Sequence, residues 1–115
     1  MSKKKGFNKD RRTTLWEILV PAHDNEQGTF SLKHHKRWDS YVRKLCGGVT
    51  ILKSAKGQWI SPNEELFHDK MIPVRILCEE DVIEEIIQFT LEHYEQKAVM
   101  AYEISARVKI IYGGE

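Results

Sequence analysis

The sequence predicts a small α+β domain, a four-stranded antiparallel sheet with two helices packed on one face. Three observations carry this: short β-rich stretches bounded by turn residues, two stretches with apolar residues at three- and four-residue steps, and an order that reads βαββαβ. At 115 residues, 41% hydrophobic and 30% charged, the chain has apolar material for one core and not for a second full domain.

The first strand is Thr14 to Pro21 (TLWEILVP), β-rich and closed by proline where PAHDNEQG turns polar. Ser31 is placed to cap the first helix, in which Trp38, Tyr41, Val42 and Leu45 share a face, and Gly47-Gly48 ends it. From Val49 the pattern returns to β: VTILKS, a turn at Ala55-Lys56-Gly57, and a return through Gln58-Trp59-Ile60. Ser61 to Lys70 reads as a polar connection. Ile72, Val74, Ile76 and Cys78 alternate in a third strand over about 71–78, with Arg75 on its other side. Asp81 followed by Glu84 is a capping-box pair, and Ile83, Ile86, Ile87, Thr90, Leu91 and Tyr94 form the stripe of a second helix reaching about Gln96. The fourth strand is a long alternation from Met100 to Tyr112.

This order is the ferredoxin-like arrangement, and right-handed crossovers put both helices on one side of the sheet. The other face then carries Leu15, Glu17 and Leu19, Arg75 and Leu77, and Glu103, Ser105 and Arg107. With the first strand between the third and fourth, Glu17 has Arg75 or Arg107 for a cross-strand partner. Leucines mixed with opposite charges on an uncovered face fit an oligomer interface or a ligand floor, and equally a solvated surface.

The net charge of +1 is uneven. Residues 1–12 hold six basic side chains against Asp10, a net +5, which leaves −4 for residues 13–115. The first segment reads as a flexible basic arm and the remainder as the single domain. An arm of this kind contacts phosphates in some proteins, but the body lacks the basic excess of nucleic-acid binders, so a nucleic-acid partner is not expected. No apolar run approaches the roughly 18 residues of a membrane span, and the start lacks the apolar core of a secretory signal. Cys46 and Cys78 form no metal or redox spacing, which points to packing residues in a reducing cytoplasm.

No catalytic motif stands out. Adjacent His34 and His35 point about 100° apart on a helix and cannot share a metal as an i, i+4 pair does. His68 and His93 join them only through tertiary contact; Glu64, Glu65 and Asp69 cluster as the carboxylates of a metal-dependent nuclease would, but a solvated loop accounts for them better, and no cofactor motif is present. The stretch with most chemistry is Gly47, Gly48 and Thr50 followed by Lys53, Lys56, Gly57, Gln58 and Trp59. Glycines permit close backbone approach, Thr50 and Gln58 offer hydrogen bonds, the lysines offer charge to an anion, and Trp59 offers a stacking surface. Arg75 on the open face is a further cation. A helix cap followed by a plain hairpin accounts for the same residues without a ligand.

In layout the chain resembles the PII signalling family: a first strand ending ILVP, a helix ending GGVT, a glycine- and lysine-bearing excursion before the third strand, CEEDVIEEII opening the second helix, and a terminal VKIIYGGE. The resemblance covers about residues 14–115. It implies a ferredoxin-like fold, a trimer, and adenine-nucleotide binding at the excursion and the groove between subunits. The GGVT, GQW and following glutamates are also similar to small bacterial and phage proteins with no assigned activity. The expected function is a non-enzymatic homo-oligomer, dimer or trimer, that binds a small anionic ligand such as a nucleotide. The alternative is a protein-interaction module, an inhibitor or assembly factor, working through the open sheet face and basic arm.

Overall fold

The computed structural model describes residues 13–26, 28–53, 55–60 and 66–114, without side chains for 54–69. The basic arm of residues 1–12 and the first half of the expected connection, 61–65, lie outside the described residues. The elements are β1 (Thr14–Pro21), α1 (Leu32–Cys46), β2 (Val49–Ile51), β3 (Ala55–Ile60), β4 (Leu66–Cys78), α2 (Glu80–His93) and β5 (Ala101–Ser105).

The sheet runs β2-β4-β1-β5, every pair antiparallel, with β3 pairing β4 beyond the end of β2. This is the ferredoxin-like α+β fold. As expected, β1 lies between the third expected strand and the last. Ile18, Val20, Val74 and Ile76 line the helix-covered face against Trp38 and Val42 of α1 and Val82, Ile83 and Ile86 of α2, all almost fully buried. Hydrophobic transfer of these side chains is what holds the two layers together.

Each end of α1 follows from local chemistry. Ser31 Oγ accepts from the His34 backbone N–H at 3.1 Å, and Gly47 closes the helix at φ 85° with its N–H on Arg43 O at 2.8 Å. That left-handed conformation costs an L-residue with a side chain about 1 kcal/mol or more. For α2 the expected capping box does not form: Glu79 is the N-cap without a side-chain cap, and Asp81 falls inside the first turn, where its charge, with that of Glu80, meets the positive end of the helix dipole. The helix stops at His93, short of Gln96.

Two strand assignments differ from the sequence reading. Ala55-Lys56-Gly57 is not a turn: β3 continues in the direction of β2, and the chain reverses only between Ile60 and Leu66. Leu66–Lys70 is therefore the first part of a 13-residue β4 rather than polar connection, because an antiparallel ribbon satisfies the backbone polar groups that a loop would leave to water. The last strand ends at Ser105 and not Tyr112. Ser105 pairs Leu15, one residue from the start of β1, and its Oγ accepts from the Arg107 N–H at 2.9 Å, a local turn in place of further ladder. A bulge between Leu15 and Trp16 also shifts the phase of β5. Glu103 pairs Trp16, so it shares the helix-side face, and Tyr102 takes the place across from Glu17. Ser105 keeps its expected face; Arg107 lies past the strand.

The core holds one buried polar relay. Trp38 Nε1–H donates to Thr90 Oγ1 at 2.8 Å, and the Thr90 hydroxyl donates to Ile86 O at 2.6 Å, with both residues at most 3% exposed. Thr90→Val keeps the shape and strands the indole N–H, and is expected to lower unfolding free energy by about 1–3 kcal/mol in urea titration, with Thr90→Ser recovering most of it.

Candidate functional site

The face away from the helices carries one polar row, one residue from each strand. Thr50 of β2 pairs Arg75 of β4, Arg75 pairs Glu17 of β1, and Glu17 pairs Tyr102 of β5. Alternation in each strand sends these four to the same side. Leu15 and Leu77 pair on one flank of the row, and Leu19 and Pro73 on the other.

Glu17 is the centre of the row and is only 8% exposed. Arg75 Nε donates to its Oε1 at 3.0 Å, and the Tyr102 hydroxyl donates to its Oε2. The Tyr102 bond is the main influence holding the Glu17 carboxyl below its ordinary range; burial opposes it, and the Arg75 bond and charge assist. The same bond pushes the Tyr102 phenol up. Glu17 is therefore a carboxylate with both oxygens engaged. Arg75, with a side chain 46% exposed, spends Nε on Glu17, and among the described residues its two terminal amino groups have no partner. A guanidinium fixed through Nε offers the flat fork that fits a carboxylate or phosphate.

The residues singled out in sequence are spread along the sheet edge. Gly47 is the cap of α1, and Gly48 leads into β2. Thr50 is beside Arg75, and Lys53 is exposed just past β2. Lys56, Gly57, Gln58 and Trp59 lie on β3 across from Lys70, Asp69, His68 and Phe67. Val49 faces Ile76 and Trp59 faces Phe67, a separation of about 30 Å along β4 at the usual rise per residue. The fold thus brings together Thr50 and Arg75, and does not gather Gly47 to Trp59 into one pocket of one chain. Sequence reasoning offered Glu17 either Arg75 or Arg107, and the structure gives it Arg75. Tyr102 was missed, because the bulge that turns it to this face has no sign in the alternation.

Neither cysteine offers a nucleophile. Both are buried and free; burial raises the Cys46 thiol and pushes Cys78 up to about 12.

No protein-family model and no curated protein sequence matches the chain. Solved structures do. A phage SAM lyase in complex with S-methyl-5'-thioadenosine superposes with a TM-score of 0.62 at 12% identity, over 82% of this chain and 90% of that one. The divalent cation tolerance protein CutA1 of Thermus thermophilus gives 0.57 at 10% identity, over 89% and 87%. CutA1 of a psychrotrophic Shewanella species gives 0.58 at 14%, over 90% and 85%. The likeness is one of fold. It agrees with the layout shared with PII-like proteins.

Because Glu17 is held ionised in the fold, its contribution to stability is present above its ordinary value near pH 4.5 and is lost as pH falls below it. Glu17→Gln is expected to be less stable than the parent at pH 6 by about 1–2 kcal/mol, a figure kept low because Arg75 is half exposed. The gap should narrow as pH is lowered from 6 to 3, as read by urea unfolding at the two pH values.

Proposed function

We propose that this chain is a non-enzymatic homo-oligomer, a dimer or trimer, that binds a small anionic ligand of the nucleotide class on the open sheet face. The observation that carries this is the orientation of Arg75: Glu17 holds it by Nε, beside Thr50 and between leucine flanks, with its terminal amino groups unpaired among the described residues. An ion pair built only for stability has no need of this arrangement on an uncovered face. Ligand contacts in this reading are Arg75 and Thr50, Lys53 and the backbone of Gly47 and Gly48, with Lys56, Gly57, Gln58 and Trp59 supplied from the β3–β4 ribbon of a neighbouring copy. The fold supports an adenosine-type ligand, since the phage lyase of the same fold is complexed with an adenosine thioether. Leu15, Leu19 and Leu77 supply apolar area for self-association. The two buried free thiols agree with a cytoplasmic setting.

A thermal-shift panel of ATP, cyclic AMP, S-adenosylmethionine and S-methyl-5'-thioadenosine tests the binding. A ligand at a hundred times its Kd stabilises by about 2.7 kcal/mol, a shift of several degrees. Arg75→Ala and Trp59→Ala are each expected to remove most of that shift; no shift with any member of the panel sinks the reading. Sedimentation as a monomer at micromolar concentrations removes the neighbouring copy. Formation of S-methyl-5'-thioadenosine from S-adenosylmethionine would make the chain an enzyme rather than a binder.

A second reading, an interaction module acting as inhibitor or assembly factor, is favoured by exposed Met100, Tyr102 and Ile104 around the edge strand β5. A pull-down that depends on residues 1–12 and on no small ligand would select it.

A further inference from the structure

Away from the sheet, the first turn of α1 meets the last turn of α2. Five rings stack there in one column: Phe30 on His34 at 5.1 Å, His34 on His93 at 3.8 Å, His93 on Phe89 at 5.1 Å and Phe89 on Tyr41 at 3.9 Å, with every pair within 20° of parallel. The two histidines at the centre are also bonded to each other's backbone. His34 Nε2 is 2.7 Å from the His93 carbonyl oxygen, and His93 Nε2 is 2.8 Å from the His34 carbonyl oxygen. A carbonyl only accepts, so each Nε2 carries the proton and each neutral ring has a bare Nδ1. Further protonation at Nδ1 makes both rings cations in face-to-face contact.

The charges acting on His93 are those of His34 and Arg37, both of which disfavour a cation there. Tyr94, just past α2, stands edge-on to both rings and has His35 Nδ1 2.7 Å from its hydroxyl; Lys33 and Arg37 of α1 flank His34 in the chain, and Glu92 and Glu95 flank His93 and Tyr94. The loop before α1 contributes Phe30, which carries no charge. Tyr41, at the far end of the column, gives its hydroxyl to Glu85 at 3.0 Å. The helix dipoles divide: a cation is favoured on His93 at a C-terminus and disfavoured on His34 at an N-terminus.

We propose that the His34–His93 pair is a pH-operated clasp between the two helices, closed when both rings are neutral and released as they gain protons below neutral pH. Burial is the first cause depressing the His93 imidazole; the bond to His34 opposes it, and the charges of His34 and Arg37 add to it. His35, whose Nδ1 is 2.7 Å from the Tyr94 hydroxyl, is depressed by burial and then by His34 and His93. For imidazoles depressed in the fold, the unfolded chain takes up protons first. Stability is held above about pH 6.5 and falls as pH drops through that range. The clasp also steadies what lies beside it, since Asn25 Nδ2 donates to Glu95 O at 3.2 Å and ties the loop before α1 to the end of α2.

The test compares Tm at pH 7.5 and 5.5 for the full chain, His34→Phe/His93→Phe and the control His23→Gln. The parent and the control are expected to lose about 5 °C or more, and the double variant, which keeps stacked rings without titrating them, to lose less than half as much. An equal loss in parent and double variant overturns the clasp. Because the double variant can fail to fold, nitrogen-15 imidazole spectra of the parent give a second decision. Nε2–H tautomers for His34 and His93 at pH 7.5, with His93 titrating below the ordinary imidazole midpoint, support the clasp; an Nδ1–H tautomer at either ring, or His93 titrating at the ordinary midpoint, overturns it. Hydrogen exchange at 31–37 and 91–97, corrected for intrinsic rates, should quicken at least tenfold from pH 7.5 to 5.5, and unchanged protection there also overturns it.

Discussion

Ile18 stands across from Val74, and Glu17, the residue before it, stands across from Arg75. This one register between β1 and β4 decides both faces of the sheet. A slip of β1 by a single residue would send Ile18 and Val20 away from the helices and bring Glu17 into the core without Arg75, where an unpaired charge costs several kcal/mol. The apolar set therefore fixes the register, and the charged set uses it. The same constraint explains why Glu17 is tolerated at 8% exposure: both of its oxygens find donors on the strands to either side. The polar row is thus a by-product of core formation as much as a device of its own. Its specific feature is the choice of arginine Nε for the pairing, which leaves the rest of the guanidinium unpaired among the described residues.

Much of this was legible in the chain itself, and the failures have a common cause. Apolar periodicity located β1, the second half of β4 and both helices, because those signals come from burial against one core. Ser31 and Gly47 worked as stop signs because capping is a local matter of a few atoms. What periodicity could not show is anything decided by a partner strand. The β3–β4 ribbon is polar and glycine-bearing, and holds together through backbone ladders that leave no apolar imprint. The end of β5 depends on where β1 begins, and the face of Tyr102 depends on a bulge in that pairing. The capping box failed for a different reason: the Asp81-to-Glu84 spacing recurs inside any acidic helix start, and the true boundary lay two residues earlier.

The candidate site was partly legible for the same reason. Glu17 and Arg75 followed from alternation and strand order alone. The seven-residue span from Lys53 to Trp59 looked compact in sequence and is extended in space, since a strand carries its residues away from one another at about 3.3 Å each. In a compact loop Lys53 and Trp59 would face one ligand. Along a ladder they cannot, and the ends of the span serve different neighbours.

This geometry bears directly on self-association. A chain of 115 residues that commits 13 of them to one strand carries five of those, 66–70, past the pairing with β1, which stops at Met71. Residues 66–70 have β3 on one side, and no strand pairs them on the other among the described residues. A two-stranded ribbon by itself is marginal in water. Packing the ribbon on the leucine-flanked open face of another copy would bury both and would bring Trp59 of one chain toward the Thr50–Arg75 row of the next. On the proposed reading, the extended span is one side of a site completed between subunits.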